Sequence, residues 1–226
     1  MNKHKVALFI RGHIRDGLFS PGLKDFVKNL KNKRDIDLHI YCQSWKYAEA
    51  DSSYREVDNS AKLIVTPNLI EHYFIEHKDI IKNIHIMSDD KLKLHQTLEG
   101  PICKSNIPKI SWKRMWAGIY DGMQTIPDEY FRIINTRWDY FTRPICQANI
   151  AVCNKLIFSH EFAFRYPRYS RSTIGVDNFY CGDYANMLKI AKAFHENLDD
   201  IIETYPETKY QEELVYQYSR DHGICK

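Results

Sequence analysis

The sequence predicts a mixed α/β fold: a mainly parallel central sheet flanked by helices, in a single domain covering residues 1–226. Three observations predict it. Short runs of β-branched and aromatic residues alternate with segments whose apolar positions recur at helical spacing. The first such run, residues 5–10, is almost wholly apolar, the mark of a strand buried on both faces. Hydrophobic residues make up 44% of the chain and aromatics 13%, enough for a real core and against disorder.

Residues 5–10 read as the first and central strand, running straight into Arg11-Gly12-His13-Ile14-Arg15-Asp16-Gly17. A glycine here lets backbone approach a ligand, and Arg11 and Arg15 bring positive charge. The same loop also reads as a polar connection before a helix. Gly12 and Gly17 lack the three-glycine spacing of a dinucleotide fingerprint. Ser20-Pro21 then caps and starts a helix that packs Leu23, Phe26, Val27 and Leu30 on the sheet, with the basic run 28–34 as its solvated end. A second strand covers 35–42 and finishes at Gln43-Ser44-Trp45, where Trp45 reads as a satisfied core residue.

Residues 48–59 are polar and aperiodic, a loop; 61–65 read as a short strand. Thr66-Pro67 repeats the cap-plus-proline grammar and opens a helix through Ile75. Residues 83–87 form another short strand, and 88–106 an irregular segment. His72, His77, His85 and His95 in this region lack metal-ligand spacing and read as surface or packing residues. Ile110, Met115, Trp116, Ile119, Tyr120 and Met123 give a helix over 108–126 an apolar core face, with Ser111 as its cap.

The run over 130–135 is rich in β-branched and aromatic residues and reads as a largely buried strand. Arg137 and Asp139 follow it, and Pro144 ends the pairing. In open α/β sheets ligands bind outside the carboxyl ends of the strands, so Asp139 is a candidate site residue. It reads equally as a turn carboxylate paired with Arg137 or Arg143. Residues 155–160 form the next strand, and 161–172, with Arg165, Tyr166, Arg168, Tyr169 and Arg171, a basic aromatic loop. Residues 178–181 form a strand after Asp177, and Asp183 caps a helix over 184–194. Residues 204–209 make a polar break, and 210–218 form a final helix ending near Gly223.

The helix carrying Trp112-Lys113-Arg114-Met115-Trp116-Ala117-Gly118-Ile119-Tyr120, followed by a strand ending in Thr136-Arg137-Trp138-Asp139, resembles the core of small bacterial surface-polysaccharide glycosyltransferases with a GT-A-like (Rossmann-like) fold. The segment from Gly175 to Met187, with Asp177, Gly182 and Met187, is similar to a second motif of that family. The resemblance implies a nucleotide-binding part over about residues 1–143 and an acceptor part over about 144–226. It implies transfer of a sugar from a nucleotide-sugar donor to a hydroxyl of a capsule or lipopolysaccharide glycan or glycolipid. Arg11, Gly12 and Arg15 would hold the nucleotide, Ser44 and Trp45 would lie beside the nucleoside, and Arg114 would face the pocket.

In that family the strand ends in an Asp-x-Asp motif that binds a divalent cation on the donor diphosphate. Here Arg137 stands at the first acid, so Asp139 alone is left for Mg²⁺ or Mn²⁺; alternatively Arg137 itself neutralises diphosphate and no metal is needed. Asp177 would be the base for the acceptor hydroxyl, with Glu212 or Glu213 as rivals. The missing acid also admits a non-catalytic nucleotide- or glycan-binding module, or a transferase of another activated group onto capsule.

Net charge is +3, from 32 basic and 29 acidic residues, too balanced for a nucleic-acid partner. It would tolerate an anionic nucleotide or a weak approach to anionic lipid. No stretch approaches a spanning helix, and the expectation is a cytoplasmic protein, with room for peripheral contact at the inner face of the membrane. Cys42, Cys103, Cys146, Cys153, Cys181 and Cys225 form no Cys-x-x-Cys pair, so structural zinc is not expected.

Overall fold

A computed structural model describes residues 3–48, 63–104, 107–142, 163–164, 179–209 and 211–224. Strand β1 (His4–Arg11) is the apolar run read first, with Val6 to Ile10 all fully buried. It lies between β2 (Ile36–Trp45) and β4 (Arg132–Arg137) and pairs parallel with both. Outside β2 lies β3 (Ile81–Met87), also parallel. On the other side, β6 (Phe179–Gly182) runs antiparallel to β4, and the two-residue β5 (Ala163–Phe164) pairs antiparallel with β6. The sheet order is β3-β2-β1-β4-β6-β5, the mixed, mainly parallel sheet the sequence predicts.

Alternation along β1 divides the core. Val6, Leu8 and Ile10 join Leu23, Phe26, Val27 and Leu30 of helix α1 (Gly22–Lys31). Ala7 and Phe9 face the other side, where Trp112, Trp116, Ile119 and Met123 of α3 (Lys109–Gln124) cover the sheet. A strand covered on both faces has no exposed side to make polar, which explains its unbroken apolar run. Over α3 packs α4 (Tyr184–Glu196), where Phe194 stacks on Trp116 with ring centroids 4.7 Å apart.

Several ends differ from expectation. Thr66 does cap α2 (Pro67–Tyr73), its hydroxyl accepting from the Leu69 N–H at 3.2 Å, but the α-helix stops at Tyr73 and a 3₁₀ stretch, Ile75–Ile80, follows. Ser111 is not the cap of α3: Pro108 holds that position, and Ser111 lies in the first turn with its N–H on the Pro108 carbonyl. Tyr130 lies ahead of β4, its hydroxyl bonded to Tyr41 (2.8 Å) and His39 (2.7 Å). Ile64 makes a single bridge to Tyr47, and within the predicted basic loop residues 163–164 are strand. The predicted strand at 155–160 and nearly all of the loop at 48–59 lie outside the described residues.

Asp183 caps α4 as its sequence position predicts, accepting from the Asn186 N–H at 2.9 Å. A helix the sequence reading missed, α5 (Leu198–Thr204), precedes the polar break, and α6 (Gln211–Asp221) is the final helix. No helix among the described residues is long and apolar enough to cross a membrane.

Candidate functional site

The direction of winding reverses at β1. From it the sheet proceeds to β2 and β3 on one side and to β4 on the other, so the β1/β4 pair is a topological switch point. In open parallel sheets the ligand crevice lies there, outside the carboxyl ends of the strands. Those ends are Arg11 and Arg137, which are partners in the strand register. Phe9 and Ile133 belong to the core on the α3 side, so alternation carries Arg11, Asn135 and Arg137 to that same face. Arg11 is 1% exposed and donates from Nε to Asn135 Oδ1 at 3.2 Å. Asn135 is fully buried, and its Nδ2 has no acceptor among the described residues. A buried donor of this kind calls for a water or an anion to satisfy it.

Helix α3 brings Arg114 to this place. A Cβ on Gly122 would stand 2.4 Å from Phe9 Cζ, and one on Gly118 would stand 3.1 Å from Gln43 Nε2. The two glycines let the helix lie close on β1 and β2, and successive turns step from mid-strand to strand end. Arg114, one more turn along that stripe, overhangs the carboxyl ends. Its charge, with those of Arg15 and Arg137, acts on His13.

Asp139 joins the strands across the crevice. Arg15 Nη1 lies 2.8 Å from Oδ2, Arg137 Nε 2.8 Å from Oδ1 and Arg137 Nη2 2.5 Å from Oδ2. The carboxylate side chain is 9% exposed. Burial pushes its pKa up, but the Arg137 and Arg15 charges and their hydrogen bonds outweigh that and hold it well below the usual carboxylate range.

The loop after β1 is pinned from behind by the end of β2. Gly12, at φ +92°, donates its N–H to Gln43 Oε1 at 3.0 Å, and its carbonyl accepts from Ser44 Oγ at 3.1 Å. Gln43 is itself anchored: Nε2 reaches Met87 Sδ at 3.3 Å, and its carbonyl accepts from Trp138 Nε1 at 3.1 Å. A Cβ on Gly17 would meet the Trp138 carbonyl oxygen at 2.6 Å, so only glycine lets the loop close on the end of β4. Arg15 takes the left-handed conformation, φ +49°, with its N–H on the Ala48 carbonyl. That conformation costs roughly 1–2 kcal/mol in an ordinary residue, and here it accompanies the contact with Asp139.

His13 lies in the same loop. Its ring stacks on Trp45 with centroids 5.5 Å apart, and Nδ1 lies 3.1 Å from the Tyr47 carbonyl. Burial first, and then the Arg15, Arg137 and Arg114 charges, lower its pKa from 6.5 to about 4. Trp45 itself is buried, the core reading of that residue.

The structure therefore gathers Arg11, Gly12, Arg15, Arg114, Arg137 and Asp139 at one end of the sheet, Arg11 as its floor. Glu212 lies in the first turn of α6, where it and Glu213 act on Cys103, whose thiol burial pushes up to about 11. Asp177 lies outside the described residues. Sequence reasoning missed His13, Gln43 and Asn135. The visible signal for Gln43 was a polar Gln-Ser pair ending an otherwise apolar strand.

The donor set does not fit the cation expected at Asp139. Both carboxylate oxygens are engaged by guanidinium groups, and among the described residues no group of three or more His, Cys, Asp or Glu side chains is placed to hold a metal. A cation there would need both ion pairs to open and would then face two guanidinium charges. What the arrangement suits is an anion with several acceptor oxygens.

No protein-family model matches the chain, and no curated protein matches it. Among solved structures it is similar to the 4-diphosphocytidyl-2C-methyl-D-erythritol synthase of Anaerococcus prevotii, at 8% identity over 97% of this chain and 96% of that one, with a TM-score of 0.41. At that likeness nothing about activity is carried across.

Proposed function

We propose that this protein is a nucleotide-sugar-dependent glycosyltransferase in which arginines, rather than a resident cation, neutralise the donor diphosphate. The observation that carries the reading is the convergence of Arg11, Arg15, Arg114 and Arg137 at the β1/β4 switch point. Phosphate oxygens are hydrogen-bond acceptors bearing charge, and planar guanidinium groups match them in both respects. Charge grows on the diphosphate as the bond to the anomeric carbon breaks, so fixed cations beside it act most strongly in the transition state.

The acceptor side rests on the sequence resemblance of residues 112–143 and 175–187. In the proposed reaction, Asp177 takes the proton from an acceptor hydroxyl on a bacterial surface glycan. The hydroxyl oxygen bonds to the anomeric carbon, and the bond from that carbon to the diphosphate oxygen breaks, releasing nucleoside diphosphate. Glu212 is the alternative base.

The test is donor turnover across a panel of nucleotide sugars, with glycan acceptor, in the presence of Mg²⁺, Mn²⁺ or EDTA. Turnover that survives EDTA is expected. Turnover that requires a cation removes the arginine-only account, and no turnover with any donor favours a non-catalytic binding module.

A further inference from the structure

Resting on the diphosphate reading of this site, one residue of the first loop acquires a role that neither the sequence nor the arginines supply. The Tyr47 carbonyl can only accept, so the proton of the neutral His13 ring sits on Nδ1, 3.1 Å away. Nε2 then carries a lone pair, and it has no hydrogen-bond partner among the described residues. The stack on Trp45 fixes the ring plane. Around it stand Arg15 from its own loop, Arg137 from the end of β4 and Arg114 from α3, with Asp139 paired to the first two.

We propose that His13 is a proton-coupled phosphate ligand: when a diphosphate enters the arginine cluster, Nε2 takes up one proton from solvent and donates it as a hydrogen bond to a phosphate oxygen. The logic is electrostatic. A lone pair facing phosphate oxygen is repelled, whereas an N–H is attracted, and the single change between them is one proton. Without a diphosphate, burial and the neighbouring guanidinium charges hold the imidazole neutral, with a pKa of about 4. A diphosphate leaves the burial but brings negative charge that offsets the guanidinium groups and favours the imidazolium.

The sign of the pH effect follows. A group whose pKa rises on binding takes up a proton between its free and bound values, so binding strengthens as pH falls through that window. The dependence is at most about tenfold per pH unit for one proton.

The experiment is calorimetric titration of the full chain with inorganic pyrophosphate near pH 5.5, about midway between the ordinary histidine range and the lowered value, in buffers of differing ionisation enthalpy. It is run on the unaltered protein and on His13→Gln. Glutamine does not titrate, so protonation of pyrophosphate itself is common to both and the difference isolates the imidazole. The unaltered protein is expected to take up roughly one proton more than the variant. Equal proton uptake in the two overturns the proposal while leaving the diphosphate site standing. If pyrophosphate does not bind at all, the site reading falls and takes this proposal with it. Should His13→Gln not fold, histidine ring NMR of the unaltered chain reads the same event: one imidazole protonated on Nδ1 becomes an imidazolium as pyrophosphate is added, and no such conversion overturns the proposal.

Discussion

Arg15 and Asp139 meet at 2.8 Å across the mouth of the sheet, one from the loop after β1 and the other just beyond β4. With Arg137 donating to both carboxylate oxygens, this contact closes the β1/β4 switch point and makes Asp139 a holder of arginines. Asp139→Asn leaves two guanidinium groups in a partly buried place without their counter-charge. Removing one partner of such a pair costs about 3 kcal/mol. Urea unfolding should show that loss; unfolding unchanged from the parent protein would mean the carboxylate does not hold the loop.

The pH dependence of that loss follows from the depressed pKa of Asp139. A carboxylate whose folded value lies below its unfolded value of roughly 3.9 contributes fully above the unfolded value. The contribution fades as pH falls toward the folded one. The stability gap between the protein and Asp139→Asn should therefore be flat from about pH 7 to 5 and narrow below about pH 4.

Arg114→Gln tests the overhanging helix. Its guanidinium is expected to contact the ligand from above, so the substitution should weaken pyrophosphate binding by about tenfold, in line with ~1.5 kcal/mol for a charged hydrogen bond. Binding should also become less sensitive to salt. Stability should change far less than in Asp139→Asn. Unchanged affinity would place Arg114 outside the site.

Gly122→Ala tests how the helix is brought there. A methyl group 2.4 Å from Phe9 Cζ must push the ring or the helix aside. Overpacking of this kind costs about 1–3 kcal/mol, more than the ~1 kcal/mol of helix propensity that alanine adds. A lower denaturation midpoint together with weaker pyrophosphate binding is expected, because α3 carries Arg114. Loss of stability with full affinity would uncouple the two.

Asp177→Asn tests the base. The substitution should lower the chemical step by about 10²–10⁴-fold while donor affinity holds. A pure loss of donor affinity contradicts the assignment.

Much of the scaffold was legible because it depends on local rules. The apolar run from Val6 to Ile10 announced a strand covered on both faces, and Asp183 announced the start of α4. What escaped depends on contacts between distant residues. Gln43 holds Gly12 because the β1/β2 register places Cys42 beside Ile10, a relation no window of sequence contains. His13 gains its character from burial and from arginines of its own loop, β4 and α3. Ser111 looked like a cap because its type suits one, yet Pro108, with its extended backbone, took that place. Helix α5, seven residues long, was too short to give a clear period. Asp139 reads from the sequence either as a metal or phosphate ligand or as a turn carboxylate paired with Arg137 or Arg143. The contact with Arg137 is present, and Arg143 lies outside the described residues. The second partner, Arg15, is 124 residues away in the chain and shows in no local pattern.

The most direct test of the account is a structure of crystals soaked with a nucleoside diphosphate. The account predicts both phosphates outside the carboxyl ends of β1 and β4, beside Gly12 and within hydrogen-bond reach of Arg114 and Arg137, with Asp139 still holding Arg15. Phosphates bound elsewhere on the molecule, or a cation seated on Asp139 with both guanidinium groups swung away, would contradict it.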